Sequence, residues 1–182
     1  MSFARVRALA VVGVLIVAAA VFVIVAVVKD HQGGPAAEAK KCAEGSVMAD
    51  AKLPTQEQVK VTIFNATNRS GAASEVANDF LSRRFKEAKV VTAAPNPPVN
   101  KANDVVAVIR YGPATVGAAW LVRAYFLDQA RPEFDKARQD DKVEIILGGK
   151  FRQLPTTTEV NQAIAALGNP ELPEGTCAKD ES

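Results

Sequence analysis

From Ala8 to Val28 the chain has twenty-one consecutive positions without a charged or polar side chain. At about 1.5 Å rise per residue, a helix of that length is roughly 31 Å long, matching the hydrocarbon core of a bilayer. Beyond Lys29 no such run recurs. Residues 29–58 carry Gly33-Gly34-Pro35, several alanines and Pro54 without sustained periodicity, and read as a stalk and linker.

Short periodic segments follow. Val59, Val61 and Ile63 alternate with Lys60, Thr62 and Phe64 and stop at Asn65, which predicts a strand. Asn65 to Gly71 is a loop of turn formers, with Ser70 placed to cap the next helix. Ala73, Val76, Ala77, Phe80 and Leu81 fall at i, i+3, i+4, i+7 and i+8, the apolar stripe of a surface helix. Lys89–Ala94 reads as a second strand, and Pro95, Pro97 and Pro98 exclude a tight hairpin after it. Val105–Ile109 is a continuous apolar run, the mark of a strand buried on both faces. A second helix is expected from Thr115 to Leu127, and a charge-rich segment, Arg131–Lys142 with Pro132, reads mostly as loop. Val143–Leu147 is the fourth strand, and Thr158–Leu167 a last helix stopped by Gly168 and Pro170. The order β-α-β-β-α-β plus a C-terminal helix predicts an α/β (α+β) fold, a two-layer sandwich on a four-stranded sheet. The expected divisions are 1–7 cytoplasmic, 8–28 transmembrane, 29–58 stalk, 59–152 domain, and 153–182 C-terminal helix and tail.

Charge sets the orientation of the anchor. Arg5 and Arg7 precede the apolar run, and Lys29 and Asp30 cancel after it, so the N-terminus is expected in the cytoplasm and the domain outside. Ala37-Glu38-Ala39 resembles a cleavage site, but it lies well past an apolar run that is too long for a signal peptide. Lys40 and Lys41 before Cys42 argue against a lipoprotein site. All twenty acidic residues and twenty of the twenty-two basic ones lie after Val28, so the exported part is formally neutral. No basic stripe interleaved with aromatics appears, which argues against nucleic acid as a partner. Cys42 and Cys177 are the two cysteines, and in that compartment one intramolecular disulfide is expected. Two unpaired thiols or intermolecular bonds are the alternatives.

The motifs resemble a known module. Val-Thr-Ile-Phe-Asn-Ala-Thr (61–67) followed by Gly71 and an alanine-rich helix looks like the start of the LytR C-terminal domain. Val-Ile-Arg-Tyr-Gly (108–112) and Val-Glu-Ile-Ile-Leu-Gly-Gly-Lys-Phe (143–151) look like its later part. The resemblance spans about residues 59–152. LytR-CpsA-Psr proteins carry a catalytic domain ahead of this module and transfer polymers onto peptidoglycan. Here only a stalk separates anchor and module, as in stand-alone actinobacterial members of this kind. The resemblance therefore implies a non-catalytic binding or scaffold role in envelope integrity, with wall polymer or envelope-assembly proteins as partners.

Few residues suggest chemistry. The strand–loop–helix junction holding Asn65, Arg69, Ser70 and Gly71 could seat an anion, since a helix N-terminus exposes N–H donors; an ordinary capped turn is the alternative. Gly148-Gly149-Lys150 lacks the rest of a phosphate-loop motif and reads as a turn. In the second helix, Ala118, Leu121, Val122 and Tyr125 form one apolar stripe and Trp120, Ala124 and Leu127 another. Two stripes mean either burial on both sides or an interface at which Trp120 meets a partner, a lipid or a sister subunit. His31 is the sole histidine and lies beside the anchor, so neither a transition-metal site nor a histidine-based mechanism is expected, and no cofactor is implied. An enzyme using carboxylates such as Glu75 or Asp104 is the alternative function, and a structural oligomer is a third.

Overall fold

The computed structural model describes residues 42–99 and 102–179. The apolar run at 8–28, expected to span a membrane, lies outside the described residues. Within them the elements are β1 (Val47–Ala49), β2 (Lys60–Asn65), α1 (Ala72–Ser82), β3 (Glu87–Val91), β4 (Ala107–Tyr111), α2 (Val116–Ala124), β5 (Arg131–Phe134), β6 (Lys142–Leu147), α3 (Thr157–Ala166) and β7 (Thr176–Ala178). The result is a mixed α/β fold.

Strands β2 to β6 form one sheet in the order β3-β2-β6-β4-β5. β2 pairs in parallel with β3, and β4 with β5, so β2-α1-β3 and β4-α2-β5 are each strand–helix–strand units. β6 enters between them, parallel to β2 and antiparallel to β4. The sheet thus has five strands, not the expected four. The missed strand is β5, inside the charge-rich segment read as loop. It is an edge strand, where Pro132 costs no ladder bond if its ring nitrogen faces outward. Its charges, Arg131 and Glu133, alternate along the pleat as strand residues do.

One sheet face carries Val61, Ile63, Ile109, Val143, Ile145 and Leu147, all buried under α1 and α2. α1 buries Ala72, Ala73, Val76, Ala77 and Phe80, whereas Leu81, expected in the stripe, is 49% exposed at the helix end. Phe80, Phe85 and Tyr125 pack as a trio with ring centroids 4.4–5.1 Å apart. Burial pushes the Tyr125 hydroxyl's pKa up. α2 ends three residues before the expected Leu127, because Leu127 and Asp128 adopt left-handed φ of 48° and 60°. Arg123 grips the Asp128 carboxylate there (Nε–Oδ1 2.8 Å).

The other sheet face is divided. Phe64, Val108 and Ile146 are covered by Val99 and Val105 of the proline-rich connection. Beyond them lies a charged half centred on Arg110, only 4% exposed. Arg110 bonds Glu133 on β5 (NH2–Oε2 3.0 Å) and faces Glu144 on β6 at 3.8 Å. Arg110 NH1 and Glu144 Oε2 lack hydrogen-bond alignment, yet each meets opposite charge, since Arg138 NH1 also stands 3.1 Å from Glu144 Oε2. Desolvation pulls the Arg138 pKa down, but its bonds to Glu144 and Asp140 outweigh that, and the net direction is up. At the margin, Lys60 bonds Asp141 at 2.5 Å, which raises the lysine's pKa and lowers the aspartate's.

Residues 42–58 depart from the stalk reading. β1 pairs with β7 as a separate two-stranded parallel sheet, with Met48 opposite Cys177. The Cys42–Cys177 disulfide is formed, with Cα atoms 5.9 Å apart. It closes a loop with a sequence separation of 135 residues, worth about 5 kcal/mol in the chain-entropy account. The chain then crosses the start of α2, where a side chain at Gly117 would put Cβ 1.9 Å from the Lys52 carbonyl oxygen. Such a segment could not be read from periodicity, because three-residue strands have none.

Two substitutions test this packing. Arg110→Ala removes the cation shared by Glu133 and Glu144, which keep Arg131 and Arg138, and should cost roughly 1–2 kcal/mol in urea unfolding, Glu133 being partly screened by solvent. Gly117→Ala should destabilise by about 1–3 kcal/mol through overpacking against Lys52, although helix propensity alone favours alanine. A stabilised Gly117→Ala would show that the close approach is absent.

Candidate functional site

β2 and β6 are adjacent and parallel, so the loops that follow them emerge side by side at one end of the sheet. Asn65 pairs with Leu147 in register, and the Ala66 N–H extends the pairing by donating to the Leu147 carbonyl (2.9 Å). This crest carries the whole Asn65–Gly71 segment together with Gly148–Arg152.

The first loop is built on the Asn65 side chain. Its Nδ2 donates to the Arg69 carbonyl (2.8 Å), and its Oδ1 accepts from the Thr67 N–H (3.0 Å) and hydroxyl (2.7 Å). The Arg69 N–H donates to Thr67 Oγ1 (3.0 Å). Gly71, at φ 80°, is the N-cap of α1, a left-handed position that suits glycine. Ser70, expected as the cap, is exposed one residue earlier. A glycine cap brings no side-chain acceptor, so the first turn of α1 has no side-chain cap.

Arg69 is engaged across the crest. Its NH1 donates to the Arg152 carbonyl (3.0 Å), its NH2 pairs with Glu75 (2.8 Å), and its guanidinium lies 6.0 Å from the centroid of the Phe151 ring. Glu75 therefore offsets part of the Arg69 charge. Lys150 and Arg152 are exposed on the neighbouring loop. The amides of Gly148, Gly149 and Lys150 donate to the carbonyls of Val106, Ala102 and Val105 (2.9, 2.9 and 3.0 Å). Those N–H groups are thus occupied by main chain, and the turn reading of Gly148-Gly149-Lys150 accounts for them.

The remaining residues singled out in the sequence lie elsewhere. Trp120 is half-buried; its indole N–H donates to the Leu167 carbonyl just beyond α3 (3.2 Å), and Arg123 lies 4.4 Å from its ring centroid. Its polar atom and one ring face are thus engaged within the chain. Of the two apolar stripes, Leu121, Val122 and Tyr125 are buried in the first and Ala124 in the second, whereas Leu127 is 37% exposed. Asp104 is exposed in the Ala102–Asp104 turn, and no hydrogen bond or ion pair joins it to Glu75. No group of acidic, histidine or cysteine side chains among the described residues could hold a metal ion.

Periodicity gave no signal for one further feature. A cleft of about 260 Å³ opens between β1 and the start of α2, lined by Val47, Met48, Asp50, Pro113, Arg138 and Lys179. Met48 is 50% exposed at its mouth. The cleft needs β1 and the tail in place, which ties it to the disulfide.

A family model described as LytR cell envelope-related transcriptional attenuator matches residues 58–151, more than half of the chain. No curated protein matches. The chain is similar to the crystal structure of the soluble domain of a conserved hypothetical secreted protein, the Rv2700 ortholog from Mycobacterium marinum. The two share 22% identity at a TM-score of 0.50, over 71% of this chain and 83% of that one, a likeness of fold.

Asn65→Ala should loosen the 65–71 loop at a cost of about 1 kcal/mol, since it removes an acceptor and a donor from three bonds. Hydrogen exchange at the Thr67 and Arg69 amides would register it. Unchanged exchange there would mean that the Asn65 side chain does not organise the loop.

Proposed function

Because the chain belongs to the LytR C-terminal domain family, we propose that its folded unit is a non-catalytic recognition or scaffold module of the cell envelope. In this reading residues 8–28 hold it at the membrane with the N-terminus in the cytoplasm, and the domain works outside. The disulfide supports that compartment, since such bonds persist in oxidising surroundings. The observation that carries the reading is a coincidence of boundaries. The family match, 58–151, contains every strand of the five-stranded sheet, β2 to β6. Outside it the described residues supply the disulfide-tied strand pair and α3.

The crest is the contact surface we assign within that module. Arg69, Lys150 and Arg152 bring three cations to the ends of β2 and β6, beside a helix start without a side-chain cap. Phosphate-bearing wall polymer suits such a surface. A photoreactive residue in place of Ser70, beside Arg69 and exposed, tests the assignment in living cells. Capture of wall polymer or an envelope-assembly protein from that position, and not from the exposed Asn161 of α3, is expected. Equal capture from both positions, or none from Ser70, would count against it.

A further inference from the structure

Residues 42–55 form a strap on the folded unit, and of these fourteen only Ala49 is buried. The opposing tail, residues 168–179, has no buried residue at all. The two meet in the β1–β7 pair, which shares no strand with the five-stranded sheet. Main-chain bonds and the buried Ala49 help to hold the strap to the rest. The Asp50 N–H donates to the Pro113 carbonyl (2.8 Å) and the Gly117 N–H to the Asp50 carbonyl (2.9 Å). On the tail side, the Val47 N–H donates to Gly175 (3.1 Å) and the Lys179 N–H to Ala49 (2.9 Å). Lys136 Nζ adds a bond to the Gly45 carbonyl (2.7 Å). Bonds of this kind offset little more than the entropy of ordering so exposed a segment.

The root of the strap is different. From Gln56 onward the chain is tied to the core, because the Lys86 N–H donates to the Val59 carbonyl (3.0 Å) and Val59 itself is buried. Local opening therefore has a natural limit near Pro54 and Thr55, and the core beyond that limit has its own buried interior. The covalent link is the strongest thing holding the strap down. Cys42 is exposed, which gives a thiolate access to the bond.

We propose that the Cys42–Cys177 disulfide is a releasable clasp: once it is reduced, the strap and the tail leave a core that stays folded. The reductant is a dithiol. One of its thiolates attacks a sulfur of the disulfide, forming a mixed disulfide and freeing the other cysteine as a thiol. The second thiolate then resolves that intermediate, so the dithiol closes its own ring and carries away two electrons' worth of oxidation, leaving two cysteine thiols. Release dismantles the cleft, since Val47, Met48, Asp50 and Lys179 form much of its wall. It also lengthens the tether. Fourteen residues at about 3.3–3.6 Å each add roughly 45–50 Å of contour between residue 42 and the sheet. The consequence for reach from a membrane rests on the anchor proposed above; the release itself does not.

Hydrogen exchange on the full chain in detergent, before and after dithiothreitol, tests the clasp, with the paired Cys42→Ser, Cys177→Ser variant as a second arm. The amides of Val47, Asp50, Gly117 and Lys179 should exchange at least tenfold faster in the reduced protein and in the variant. Those of Val61, Ile63 and Ile145 should keep their protection. Unchanged rates in the strap would overturn the proposal, and so would simultaneous acceleration of strap and core. The dithiothreitol arm begins from folded protein, so it decides the matter even if the serine variant does not fold.

Discussion

Strand β6 lies between β2 and β4, parallel to one and antiparallel to the other, and the two strand–helix–strand units pair with each other only through it. Val143, Ile145 and Leu147 fill the helix-covered face, and Ile146 fills the apolar half of the opposite face. Glu144 lies on that second face and meets Arg110 and Arg138. Both faces of β6 are covered, so its apolar residues point both ways and its one acidic residue within the apolar stretch, Glu144, is held by arginines, whereas an edge strand tolerates alternation and even proline. The parallel pairing with β2 has a further effect. It delivers the turn after β6 beside the loop after β2, and so assembles the Arg69, Lys150 and Arg152 crest from segments some eighty residues apart.

The N-terminal segment and the C-terminal tail obey a different economy. They bury almost nothing and form a strand pair apart from the main sheet, so their position depends on the covalent link far more than on packing. Gly117 is where that arrangement meets the core, since only a residue without Cβ admits the Lys52 carbonyl so close. The structure thus has two tiers: a sheet held by burial, and a little-buried layer held by a disulfide and a few hydrogen bonds. The two tiers need not respond alike to redox conditions.

Much of the fold could be read from the sequence, for reasons that the structure makes plain. β2, β6, α1 and α3 fall within one or two residues of their expected limits, because each has a long enough apolar pattern to declare its period. β5 was missed because charge and Pro132 are normal for a short edge strand but look like loop. β1 and β7 were missed because three residues cannot show a period. α2 stops short of Leu127, which continues the apolar pattern while its backbone turns left-handed. At the crest, residue types identified the loop and Arg69, but the partners could not be foreseen. Arg152 lies far along the chain, and Glu75 is brought to Arg69 in space only by the turn at Gly71. The cap is Gly71 rather than Ser70 for a backbone reason, the positive φ that glycine accommodates.

The central functional claim is that the crest at the ends of β2 and β6 is the surface that meets the envelope. Amide chemical-shift mapping of the protein with purified phosphate-bearing wall polymer tests it most directly. Perturbations are expected to concentrate in Asn65–Gly71 and Gly148–Arg152 and to diminish with Arg69→Ala and Arg152→Ala. Perturbations centred on α3 or the β1–β7 pair, or none at saturating polymer, would contradict it.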